Sequence, residues 1–480
     1  MTLGELLEKT EIIEVAADMA LEISGICYDT RNLGAGELFV AIRGYECDGH
    51  RYIAEAAGNG AICVICEEAP PVPVPHVIVK DSRKTLAAVS AAWFGYPADK
   101  LTLIGVTGTN GKTTVTNLVK RVVEVCKGAK VGLIGTNCNM IGDTELHTEH
   151  TTPESYEIQR LLADMVREGC GYAVMEVSSH ALLLERVHGI EFEVGVYTNL
   201  TPEHLDFHDS MEDYAQAKSR MFVRCKKSAI NIDDGFALQM ANAAAGPVFT
   251  YAIDDCNADL VAKSVKLLAD SVDFCALTIG RLERVELHIP GRFSVYNALA
   301  AISAAALLGI DIECAANALR TCSGIKGRAE VVKTGRDFTV IIDYSHTPDS
   351  LENIIKAAQG FATGRVVTLF GCGGDRDMKK RPLMGAIAVK HSDFVVVTSD
   401  NPRTEAPGAI IEEILAGIVD TKTPYKVIEN RREAIHWALG HLGHGDVLIL
   451  AGKGHETYQV LGREKIHFDE REIVVEYLNI

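Results

Sequence analysis

The run Gly108-Thr109-Asn110-Gly111-Lys112-Thr113-Thr114 carries the residue types of a phosphate cradle. Glycines let backbone N–H groups close in on phosphate oxygens, a lysine such as Lys112 reaches the outer phosphates, and a hydroxyl such as that of Thr113 is an oxygen ligand for Mg²⁺. The apolar run before it, Leu101 to Val106, reads as a strand, and Thr113 to Cys126 reads as a helix. The strict form of this motif has a glycine five residues before Gly111, where Val106 stands, so this is a shortened loop. ATP is the expected ligand. The plainer alternative, a glycine turn with a solvated lysine, sits poorly with the flanking strand and helix.

Further polar clusters fall where strands should end, and ligands of open α/β sheets gather beyond those ends. Glu176-Val177-Ser178-Ser179-His180 follows a strand expected at 172–177, and Asn199 to Asp206, with Glu203 and His204, follows one at 194–198. Glu176 and His204 are candidate Mg²⁺ ligands; the plain alternatives are a strand-end salt bridge and a capping or core histidine. The last third of the chain repeats the pattern with Asp343-Tyr344-Ser345-His346-Thr347-Pro348-Asp349, Gly371 to Asp377, Asp400-Asn401-Pro402-Arg403 and Gly452-Lys453-Gly454-His455-Glu456. Asp349 could cap the helix that follows it. Stability alone does not ask for polar clusters at four successive strand ends.

The elements that would position these groups alternate. In the first part, strands at 38–42, 61–66 and 76–79 accompany a helix at 51–57 and a stiff proline-rich loop at 69–75. Strands at 101–106, 131–134, 172–177, 194–198 and 228–232 form a second series, and those at 338–342, 366–370, 394–398 and 447–450 a third. Strand–helix alternation predicts mostly parallel sheets covered by helices. The expected division is residues 1–98, 99–325 and 326–480, in an α/β chain of 480 residues. The apolar stretch Ala298 to Ile310 is too short for a bilayer and predicts a buried helix.

With 47 Lys and Arg against 65 Asp and Glu, the net charge of −18 argues against non-specific binding to nucleic acid or to anionic lipid. Thirteen cysteines are scattered, and the Cys63/Cys66 spacing has no second pair to complete a zinc site, so reduced thiols are expected. Glu5, Glu8, Glu11 and Glu14 give the N-terminus no basic signal region. The expectation is a cytoplasmic monomer.

Together these segments resemble the Mur ligases of bacterial cell-wall synthesis, over essentially the whole chain. GTNGKTT (108–114), EVSSH (176–180), TPEHLDFH (201–208), GRFSVYN (291–297), DYSHTPDS (343–350) and GGDRD (373–377) occur in the family's order, and the shortened glycine loop is the family's own form. The resemblance implies an N-terminal uridine-nucleotide-binding domain, a central P-loop-type ATPase domain and a C-terminal Rossmann-like domain. It implies amide formation through an acyl phosphate, with ATP and Mg²⁺.

Carried over residue by residue, it adds Asn297, Arg328 and Asp343 to the ATP site. Tyr28, Thr30, Tyr45, Glu46 and Cys47 match the uridine-nucleotide segments, and Thr151, Thr152, Ser178 and Arg186 match the sugar and dipeptide contacts. Leu184 and Ser294 depart from residues common in the family, glutamine and asparagine. The DNPR of Asp400 to Arg403 resembles the branch that adds meso-2,6-diaminopimelate to UDP-N-acetylmuramoyl-L-alanyl-D-glutamate. Meso-diaminopimelate carries a carboxylate that lysine lacks, and the Arg403 guanidinium offers a bidentate fork for one. Arg381, Gly452 and Glu456 complete the implied amino-acid site. Lys218 looks like a solvated helix lysine by itself, but it matches the family's N6-carboxylysine, a fourth metal ligand beside Thr113, Glu176 and His204. His346 is the candidate base. The rivals are a lysine-adding ligase, folylpolyglutamate synthetase and a nucleotide-dependent regulatory module.

Overall fold

The protein, described here as a computed structural model, comprises residues 1–480 apart from 45, 46, 204–206, 323, 420 and 480. Three α/β domains follow one another, each built on its own sheet. In the first, Ile12–Ala16, His76–Val79, Cys63–Cys66, Leu38–Val40 and Ile26–Cys27 lie in that order, antiparallel only at the first pair.

The middle sheet has eleven strands among the described residues. Seven run parallel, in the order Leu260–Leu267, Val248–Ala252, Cys225–Asn231, Phe192–Tyr197, Thr102–Thr107, Tyr172–Glu176 and Val131–Ile134. Thr102–Thr107 is flanked on both sides, and its Leu103, Ile104 and Val106 are buried, as a central strand covered on both faces requires. The helix Lys112–Lys127 buries Val115, Leu118, Val119, Val122 and Val123, a stripe at three- and four-residue spacing. Beside it lies Arg292–Leu307, the buried helix expected at 298–310, which begins six residues earlier. Antiparallel pairs at both rims (Val272–Thr278 with Arg281–Leu287, and Asn139–Ile141 with Thr144–Leu146) are absent from the sequence-based reading. Their half-exposed, charge-interrupted patterns give no clear strand signal.

The third sheet runs Glu330–Val332, Thr339–Asp343, Val447–Ala451, Val366–Phe370, Phe394–Val397 and Tyr425–Val427, parallel except at the first pair. A separate hairpin, Tyr458–Leu461 with Glu464–His467, leans on its loops. No helix of the described residues is long and apolar enough to cross a membrane.

One expectation about the thiols fails. Cys126, in the last turn of Lys112–Lys127, is joined to Cys314 in the helix Ile312–Arg320. The two helices pack side by side and bring the Cα atoms to 6.0 Å, the ordinary spacing for a disulfide. The other eleven cysteines are free.

Candidate active site

The phosphate loop crosses from the end of Thr102–Thr107 to the N-terminus of Lys112–Lys127. Gly111 has φ +88°, and a Cβ there would stand 2.5 Å from the Asn297 Oδ1, so only glycine lets Asn297 approach. Lys112 donates to the carbonyls of Gly108 (2.9 Å) and Thr109 (2.8 Å), which folds its ammonium over the loop. Its pKa lies below the usual lysine range because burial disfavours the charge.

Thr113 is the point of convergence. Its hydroxyl donates to Glu176 Oε2 at 3.0 Å and accepts from Arg328 Nη2 at 3.0 Å. Glu176, 1% exposed, is fixed by Thr136, whose backbone N–H reaches Oε1 at 2.8 Å and whose hydroxyl reaches Oε2 at 2.9 Å. The sequence reading missed Thr136, which has no motif around it. Asp343 is half-buried and accepts from the Ala329 N–H at 2.6 Å and from the Ser345 hydroxyl, and its removal from water raises its pKa. These groups wall a cavity of about 560 Å³ with Asn297 and His346. His204 lies outside the described residues, so its place relative to Glu176 is not part of this geometry.

Lys218 is not the solvated lysine its helix suggests. The helix Met211–Ser219 turns it inward, 1% exposed, with Nζ 2.8 Å from the Gly108 carbonyl and 4.5 Å from the Tyr214 ring centroid. Two lysines therefore donate to one carbonyl, that of Gly108. Burial, and then the neighbouring Lys112 charge, push the Lys218 pKa well below its ordinary value. A buried amine of lowered basicity beside the phosphate loop has the property that carbon dioxide addition needs.

One expectation shifts at the cavity's far wall. Asp349 does not cap its helix; Thr347 does, in a capping box with Ser350. The Asp349 carboxylate instead accepts from Asn110 Nδ2 at 2.8 Å and from the Thr201 hydroxyl at 3.3 Å, joining the third domain to the phosphate loop. His346 Nδ1 pairs with the Tyr344 carbonyl at 2.8 Å, and Nε2 faces Glu203 at 3.6 Å. The Tyr344 ring lies against Arg328 at 4.8 Å and His455 at 4.9 Å, between the cavity and the Gly452–Glu456 loop.

The residues matched to the sugar and dipeptide form a strip beside Glu176. Thr151 shares a hydroxyl bond with Thr136 (3.0 Å), Thr152 donates to the Glu176 carbonyl (2.7 Å), and Ser178 caps the helix Ser179–Leu183. Arg186 donates to the Thr152 carbonyl at 2.9 Å and lies 3.3 Å from Glu154, which Arg83 of the first domain also approaches at 3.2 Å. Tyr28 donates to Glu157 of the middle domain at 2.8 Å, while Thr30 is buried in a short turn and Cys47 is exposed beside Tyr52. Tyr45 and Glu46 lie outside the described residues.

The residues matched to diaminopimelate sit together at the ends of Phe394–Val397 and Val447–Ala451. Arg403 has φ +51°, a left-handed conformation that costs a non-glycine residue about 1–3 kcal/mol. It is held there by its N–H to the Val460 carbonyl (3.2 Å), by its own carbonyl to the Gly462 N–H (2.8 Å), and by Nη1 to the Gly374 carbonyl (2.7 Å). Asn401 donates to Glu456 at 2.8 Å, and Asp400 is buried. Arg381 is fully buried, paired bidentately with Glu405 (both bonds 2.8 Å) and with Glu413 at 3.0 Å. It braces the loop from below, donating to the Gly373 carbonyl at 3.2 Å. Beneath these loops Arg431 and Glu470, both fully buried, pair at 2.8 Å, and Arg431 donates to the Ala451 carbonyl at 2.8 Å. Neither was anticipated, since charged side chains read as solvated.

Three family models match successive parts of the chain: "Mur ligase family, catalytic domain" over residues 22–97, "Mur ligase middle domain" over 106–305 and "Mur ligase, glutamate ligase domain" over 327–454. The UDP-N-acetylmuramoyl-L-alanyl-D-glutamate--2,6-diaminopimelate ligase of Caldanaerobacter subterraneus subsp. tengcongensis is 50% identical over 470 residues, 97% of this chain and 96% of its own. A solved structure of a UDP-N-acetylmuramoyl-L-alanyl-D-glutamate--2,6-diaminopimelate ligase superposes with a TM-score of 0.73 at 30% identity, covering 100% of this chain and 99% of its own. The MurF ligase of Thermotoga maritima, solved in complex with ADP, shares the fold at a TM-score of 0.64 and 19% identity, covering 94% and 96%. With its three sheets, its shortened phosphate loop and these matches along its length, the chain belongs to the Mur ligase family.

Proposed function

We propose that this protein is an ATP-dependent ligase that joins meso-2,6-diaminopimelate to UDP-N-acetylmuramoyl-L-alanyl-D-glutamate, in the synthesis of the peptidoglycan precursor. The observation that carries the reading is the near full-length identity to a relative named for that reaction. Arg403, in the same Asp400–Arg403 loop whose Asn401 donates to Glu456, supports the choice of amino acid.

In the proposed reaction an oxygen of the D-glutamate side-chain carboxylate attacks the γ-phosphorus of ATP, and ADP leaves. The amine of diaminopimelate then attacks the acyl carbon, phosphate leaves with the C–O bond pair, and a base takes the amine proton. The chain's task is positioning and charge neutralisation. Lys112 and the first N–H groups of Lys112–Lys127 bind the phosphates, Asn297 the base, and Arg328 and Asp343 the nucleotide from the third domain. Thr151, Thr152, Ser178 and Arg186 orient the dipeptide. His346, with Nδ1 tied to Tyr344, presents Nε2 as the acceptor for the amine proton.

The donor set at Thr113 fits Mg²⁺. Thr113 and Glu176, in hydrogen-bond contact, would be oxygen ligands, and a carboxylated Lys218 would supply a third. The ion supplies neutralisation of phosphate charge. We place the protein in the cytoplasm as a monomer of 52.0 kDa, which light scattering would check.

The test is phosphate release coupled to amide formation, with each candidate amino acid in turn. Meso-diaminopimelate should support turnover far better than L-lysine. Preference for lysine would move the protein to the lysine-adding branch, and ATP hydrolysis without amide product would remove the ligase reading.

A further inference from the structure

Lys453 stands between two glycines in the loop after Val447–Ala451, and its side chain is 0% exposed. An ammonium removed from water costs several kcal/mol unless it is paired and hydrogen-bonded. Here Nζ donates to Asn401 Oδ1 at 3.0 Å and to Glu456 Oε2 at 2.9 Å. The two acceptors are themselves joined, since Asn401 Nδ2 donates to the same Glu456 oxygen at 2.8 Å. The Val460 N–H closes the group on Asn401 Oδ1 at 3.0 Å.

The cation also governs the next carboxylate. Burial alone would raise the Asp400 pKa, but Lys453 first, then Arg431, the Asn401 N–H and His346, together lower it below the ordinary carboxylate value. Gly452, at φ +115°, makes this approach possible, because a Cβ there would lie 2.6 Å from Asp400 Oδ2. Lys453 is not among the residues that wall the nucleotide cavity. Its hydrogen bonds lead to the amino-acid loops, and its ammonium also lies over the Tyr458 and Phe468 rings at 5.7 and 5.8 Å.

We propose that Lys453 is a positioning residue of the amino-acid site, whose ammonium locks the Asn401 amide and the Glu456 carboxylate into one rigid unit and thereby sets affinity for the incoming diamino acid. The proposal rests on the reading above that Asp400–Arg403, Gly452 and Glu456 hold that amino acid. Without the ammonium, Glu456 would keep only the Asn401 amide of these two donors, Asp400 would lose the nearer of its two compensating cations, and Asn401 would lose one of the ties that fix its orientation.

The experiment compares steady-state KM values for meso-diaminopimelate and ATP in Lys453→Met, Glu456→Gln and the double variant, with folding checked by circular dichroism. Lys453→Met should raise the diaminopimelate KM about ten- to a hundredfold and leave the KM for ATP unchanged. The double variant should be no worse than Glu456→Gln alone, because the two residues act as one unit. A wild-type diaminopimelate KM in Lys453→Met, an equal rise in the KM for ATP, or multiplying effects in the double variant would each overturn the proposal. If Lys453→Met does not fold, the double variant, which removes a cation and an anion together, decides alone by whether its KM matches that of Glu456→Gln. Loss of fold in both variants overturns the proposal in favour of a purely structural lysine. An unchanged diaminopimelate KM in Glu456→Gln itself would mean that the site reading has failed, and the proposal with it.

Discussion

At the phosphate loop the groups expected to touch the ligand are also the frame. Lys112 is folded onto its own loop carbonyls, Thr113 is held between Glu176 and Arg328, and Asn110 is tied to Asp349. At the Asp400–Arg403 loop the two duties are divided. Arg403 and Glu456 belong to the proposed amino-acid site, while Arg381, Lys453 and the Arg431–Glu470 pair are buried side chains hydrogen-bonded to its loops or to the strand end beside them. The difference decides what a substitution can reveal. In the first region geometry and chemistry fall together; in the second, loss of binding and loss of stability can be separated.

The largest effect is expected in the first region. Lys218→Ala should reduce turnover about 10²–10³-fold or more, as removal of a preorganised electrostatic group does. A short added carboxylate should restore part of it, and full activity of Lys218→Ala in phosphate release would show that this amine takes no part.

In the second region, Arg403→Ala removes a charge-assisted pair and should cost about 2–5 kcal/mol of binding. That loss should appear in the KM for meso-diaminopimelate and not in the melting temperature. An unchanged KM would break the comparison at its most exposed point. Arg381→Met should do the reverse. It takes the guanidinium from Glu405 and Glu413, at about 1.5–3 kcal/mol, read as a lowered denaturation midpoint. A normal midpoint with a raised KM would mean that Arg381 contacts the ligand after all. The smallest effect is expected outside both regions. Tyr28→Phe loses one hydrogen bond to Glu157, worth about 1 kcal/mol, and calorimetry should show a slight fall in melting temperature.

The same division explains what the sequence made legible. The strand at 131–134 and those at 366–370 and 76–79 match their expected limits, because short apolar runs between turn residues leave little freedom. The phosphate loop was readable because its chemistry is local to seven residues. The frame of the amino-acid site was not. Lys453, Arg431 and Glu470 are charged, and nothing in their neighbours along the chain says that partners from distant strands will bury them. Lys218 reads as solvated from its helix alone for the same reason, and only the family resemblance placed it at the site: the polar helix Met211–Ser219 reveals its buried side only when packed beside the loop of Gly108.

The link between Cys126 and Cys314 has a consequence for the chain when it is not folded. The cross-link spans a sequence separation of 188, a ring that contains the helix Met211–Ser219 and most of the middle sheet. By loop-closure entropy, a ring of that size removes about 5 kcal/mol of conformational freedom from the unfolded ensemble. The native contacts around the phosphate loop would be the same with the thiols reduced. What changes is the disorder they must overcome, so oxidation acts on the middle domain through the state that has no structure.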